Sequence, residues 1–70
     1  MSKTAAANWI NAEADAIERH ANESKAGWII LGESEKYDAA MNKVNALRYA
    51  ANIDNLHDRR EVLRGMGYAF

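Results

Sequence analysis

The sequence contains no cysteine and no proline. Without cysteine there are no disulfides, no thiolate metal sites and no cysteine nucleophile, which fits a reducing compartment. Without proline, helices are interrupted only by glycine or by turn chemistry. Glycine is itself sparse, at positions 27, 32, 65 and 67. An excess of one charge is also lacking: 9 Lys and Arg oppose 10 Asp and Glu, for a net charge of -1. That is not the footprint of a strongly basic nucleic-acid binder. No apolar run approaches the ~20 residues of a membrane span. The opening stretch, MSKTAAANWINAEADA, reaches acidic residues too early for the apolar core of a signal peptide. A soluble, cytoplasmic protein is the expectation, with no membrane partner.

What is present is a short chain rich in helix formers. Seventy residues, 49% of them apolar, are too hydrophobic for a disordered polyelectrolyte and read as one domain, 1–70. Much of the apolar content is alanine, which buries little, and a core of this size supplies only about 3–5 kcal/mol. With no staple available, association with a second chain is the common remedy.

Ala, Glu, Lys, Arg, Leu and Met dominate, so the expected class is all-α. A first helix over about 4–31 starts near Ser2 or Thr4, either of which can cap it. Along it, Ala7, Ile10, Ala14, Ile17, Ala21, Ser24, Trp28 and Leu31 recur in alternating steps of three and four, all apolar but Ser24. This is a heptad seam flanked by charge. It serves either as the core stripe of an intramolecular hairpin or as a seam shared with a second chain. Gly27 interrupts it and would end the helix, kink it or admit a close neighbour. Gly32 suits a left-handed C-terminal cap, and Ser34 offers an N-cap to a second helix over about 35–51. The short connection makes the two helices antiparallel neighbours.

The second helix carries the stripe Tyr37, Ala40, Met41, Val44, Leu47, Ala51. At Tyr49, Ile53 and Leu56 the apolar face rotates, which predicts a break around ANIDN, with Asp54 capping a third helix over about 55–65. An aromatic tail, 66–70, follows two glycines that loosen the backbone. Tyr68 and Phe70 are expected to fold back onto a groove or to dock on another chain. The predicted architecture is an antiparallel hairpin of two long helices plus a shorter C-terminal helix, packed as a homodimeric bundle.

The run WIIL between Gly27 and Gly32 raises the sharpest question. Four consecutive helical residues point in four directions, about 100° apart. Trp28 and Leu31 continue the seam, whereas Ile29 and Ile30 point away from it. Burying such a side chain is worth about 1.5–3 kcal/mol. The third helix, the aromatic tail or a second copy of the chain is the available cover. The expected dimer interface is Ile10, Ile17, Trp28, Ile29, Ile30 and Leu31, with two-fold symmetry.

Catalytic chemistry is thin. His57 with Glu61, and Glu13 with His20, share helix faces, but two ligands on one helix do not make a metal site. Ser2, Ser24 and Ser34 read as cap or surface residues, and no Gly-rich phosphate loop precedes a helix. No enzyme activity, catalytic residue, metal or cofactor is expected. Arg48, Arg59, Arg60 and Arg64, with Lys36 and Lys43, carry the nucleic-acid alternative. Asp54, Asp58 and Glu61 are interleaved with them and favour a mutually paired surface. Trp, Tyr, Met and Arg are types enriched at binding surfaces. The expected partner-binding set is Trp9, Tyr49, Arg59, Arg60, Arg64, Tyr68 and Phe70. Small chains without an active site, including many encoded by phages and mobile elements, commonly bind and regulate a larger protein. That is the expected role, by steric occlusion or conformational locking. A small dimeric DNA-binding regulator and a self-assembling structural subunit are the alternatives.

Overall fold

The computed structural model describes residues 3–68, with side chains from 7 to 68. Three α-helices follow one another: α1 (Lys3–Ile30), α2 (Glu35–Ala51) and α3 (Leu56–Gly65), and the described residues contain no strand. The first two pack closely along their lengths. They run antiparallel: Arg48 of α2 meets Asp15 and Glu18 of α1, while Tyr37 meets Asn22. The chain measures 42 × 19 × 17 Å with a radius of gyration of 13.6 Å. A compact globule of this length would have about 11 Å. The hairpin is therefore a rod, with a long perimeter for its small interior.

From Ile10 to Ala21 the heptad seam of α1 is the intramolecular core stripe; beyond it Ser24 and Trp28 are only half-buried, and Leu31, expected to continue the seam, is exposed past the end of the helix. Ile10, Ala14 and Ala21 are buried, and Val44, Leu47, Ala50 and Ala51 of α2 and Leu63 of α3 complete the buried apolar set. Ile17, Met41, Val62, Met66 and Tyr68 pack around the central cluster. Alanines alternating with isoleucines let the two helices approach while the larger side chains fill the space between them. Ile10 is 1% exposed and Ile17 lies against the same cluster. The expectation that Ile10 faces a second chain is thereby corrected, because α2 already covers it.

Each helix end has its own device. At the end of α1, Gly32 adopts φ +72°. Its N–H donates to the Ile29 carbonyl at 3.1 Å, and that of Glu33 to Trp28 at 2.7 Å. This is a complete Schellman turn, which satisfies carbonyls the helix leaves open. The same arrangement recurs after α3. Gly67, at φ +95°, donates to Arg64, and Tyr68 donates to Leu63. The glycine pair thus does not loosen the chain; Gly67 turns Tyr68 back onto the core. Gly27 neither ends α1 nor admits a neighbour, since a Cβ there would meet nothing within 4 Å.

Of the expected caps, Ser34 does hold the N-cap position of α2, but it is already helical (φ -59°, ψ -24°) and makes no side-chain cap bond. Asn55, not Asp54, caps α3: its Oδ1 accepts from the backbone N–H of His57 at 2.9 Å and of Asp58 at 3.1 Å. Thr4 lies inside α1, and Ser2 falls outside the described residues.

Candidate functional site

The end of α2 has no glycine. Asn52 follows it in a right-handed conformation, so no left-handed turn closes the last carbonyls. Right-handed turns reach two of them, the Asn52 N–H donating to Tyr49 at 3.1 Å and that of Ile53 to Ala50 at 3.2 Å, and Arg59 supplies the rest. Its Nε donates to the Ala50 carbonyl at 3.1 Å, and its Nη2 to Ala51 at 3.1 Å and Ile53 at 2.9 Å. The guanidinium's fixed fork suits several acceptors at once, and its charge complements the negative end of the helix dipole. At 4% exposure, Arg59 has no surface to offer a partner, and its expected partner-binding role is corrected. Arg59 and Arg60 are adjacent and of one type, so the sequence alone does not say which of them turns inward.

The other cations are largely engaged as well. Arg48 bridges Asp15 at 3.0 Å and Glu18 at 3.4 Å. Lys36 pairs with Glu33 at 3.0 Å, and Arg64 lies 3.8 Å from Glu61. Lys25 sits over the Tyr37 ring and Lys43 over the Tyr68 ring, at 4.7 and 5.2 Å. Arg60 is exposed. Among the described residues no group of three His, Asp or Glu is placed to hold a metal ion. A shallow open depression on α1 is lined by Asp15, Glu18, Arg19, Asn22 and Glu23.

The aromatic candidates divide. Trp9 is partly exposed and meets Tyr68 edge-on, with centroids 5.8 Å apart. Tyr68 is half-buried, and Tyr49 is exposed, as is Leu56. Trp28 is half-buried, edge-on to His20 at 6.2 Å. Phe70 lies outside the described residues.

Among the described residues, the end of the WIIL run is the most exposed apolar feature. Ile29, Ile30 and Leu31 are 56%, 83% and 72% exposed. Among the described residues neither α3 nor Tyr68 reaches them. α3 packs on α2, and Tyr68 folds beside Trp9 near the start of α1. That is about 30 Å from the turn at 1.5 Å per residue. The turn therefore projects from the closed end of the hairpin as a convex apolar tip. Between Lys3 and Tyr68 no helix is long and apolar enough to cross a membrane. No family model, curated protein or solved structure matches the chain.

Proposed function

We propose that this chain is a non-enzymatic interaction module that regulates a larger protein by occluding a cleft or locking a conformation, and that the hairpin tip is its docking element. The exposure of Ile29, Ile30 and Leu31 carries this reading. Together they present roughly 400 Å² of apolar surface, within the range of functional patches on monomers. Burying it is worth on the order of 10 kcal/mol gross, comparable to the cost of association. The tip is thus an anchor, and flanking polar contacts must add to it. Two convex tips meet poorly, whereas a convex tip fits a concave apolar cleft, so a larger partner suits it better than tip-to-tip pairing.

The nucleic-acid alternative has less to draw on, because Arg59 is buried and Arg48 and Arg64 face carboxylates. The test compares immobilised wild-type chain with a triple Ile29→Ser, Ile30→Ser, Leu31→Ser variant in capture from the source cell's extract. A discrete polypeptide retained by the wild type and reduced at least tenfold with the variant is the expected result. Equal retention by both, or none by either, overturns the reading.

A further inference from the structure

A second face of α1 has no cover among the described residues. On the side away from α2, Ala12, Ala16, Arg19, Glu23, Ala26 and Ile30 recur in steps of four and three, and every one is exposed. This spacing holds the six residues on one face, along which a second helix can lie. Ile30, the most exposed large apolar residue among those described, closes the face at one end. Its middle is charged. Arg19 and Glu23 make no ion pair with each other or with any described residue, while Arg48, Lys36 and Arg64 all face carboxylates. Two opposite charges left unused beside apolar positions point to a partner that supplies both complements.

We propose that a second copy of the chain is that partner, with the two α1 helices packed antiparallel about a two-fold axis level with Ala21. In such a pair, facing positions sum to a constant, and a sum of 42 brings the face into register with itself. Arg19 meets Glu23 of the second copy, and Glu23 meets its Arg19. Ala16 lies opposite Ala26, and Ile30 fills the space above Ala12 of the second copy, large against small at both ends. Shifting by one heptad either way sets a charge against an alanine or Ile30 against Arg19. The charges thus select one register as well as the antiparallel direction. The contact extends over about 27 Å of helix and leaves the two tips at opposite ends of the dimer. The inference goes beyond the docking reading: the dimer takes up Ile30 and leaves Ile29 and Leu31 as the exposed part of each tip, and its test rests on Arg19 and Glu23, which take no part in the tip.

Sedimentation equilibrium on the full chain tests it. The wild type is expected at twice the 7.8 kDa chain mass. Arg19→Glu and Glu23→Arg each turn two attractions into two repulsions, raising the dissociation constant roughly ten- to thirtyfold. Both positions are exposed, so helix content by circular dichroism is expected to be unchanged. The decisive sample is an equimolar mixture of the two variants, in which every facing pair is opposite in sign again and dimers return with wild-type affinity. A monomeric wild type at all concentrations, a dimer indifferent to either reversal, or a mixture no tighter than its components each overturns the proposal.

Discussion

Replacing Arg59 by alanine should be among the most damaging single changes in this protein, although the residue lies on a short, polar surface helix. The side chain donates to three backbone carbonyls at the end of α2 and its loop. Hydrogen bonds from a charged donor contribute about 1.5–3 kcal/mol each, but water can reach some of the vacated carbonyls, and the buried guanidinium carries its own desolvation cost. A net loss of about 2–4 kcal/mol follows. That is most of the stability a core this small supplies. With a urea slope near 1 kcal/mol/M for a small domain, the unfolding midpoint should fall by about 2–4 M, and part of the variant population should be unfolded in buffer. Arg59→Lys keeps the charge but loses the fork, so it should recover only part of the loss. Arg60→Ala, at an exposed neighbour, should stay within about 0.5 kcal/mol of wild type. Urea titration followed by far-UV circular dichroism measures all three. An Arg59→Ala midpoint indistinguishable from that of Arg60→Ala would refute the assignment of Arg59 as the cap of α2.

Two glycines should respond in opposite directions. Gly27→Ala, in mid-helix with open space around the new Cβ, should stabilise by about 0.5–1 kcal/mol. Gly32→Ala, at φ +72°, should destabilise by about 1 kcal/mol from backbone strain alone; thermal melts of both distinguish the signs. Asn55→Ala removes the side-chain acceptor of His57 and Asp58 and should cost about 1 kcal/mol. Its effect should be seen first as faster amide exchange in the opening turn of α3.

The sequence is informative where the governing physics is local. The helices expected over about 4–31, 35–51 and 55–65 occur at Lys3–Ile30, Glu35–Ala51 and Leu56–Gly65. Composition and periodicity decide where helices form, and Gly32 decides where the first one stops. The Ala–Ile seam likewise follows from spacing alone. Capping by Asn55 instead of Asp54 lay at the limit of what sequence resolves, since both residue types cap well and they are adjacent.

Among the residues expected at a dimer interface, Ile29 and Ile30 were legible as side chains pointing off the seam, in a turn too greasy to be covered on every side. The sequence left two covers for them within the chain, the third helix and the aromatic tail. Only the tertiary structure set α3 and Tyr68 at the other end of the hairpin, leaving the tip exposed. It also chose the inward arginine. Arg59 and Arg60 are neighbours of one type, and which of them reaches the α2 carbonyls depends on how α3 is set against α2. Helix formation is decided within a few residues along the chain; the division between cover and surface is decided by contacts between residues far apart in it.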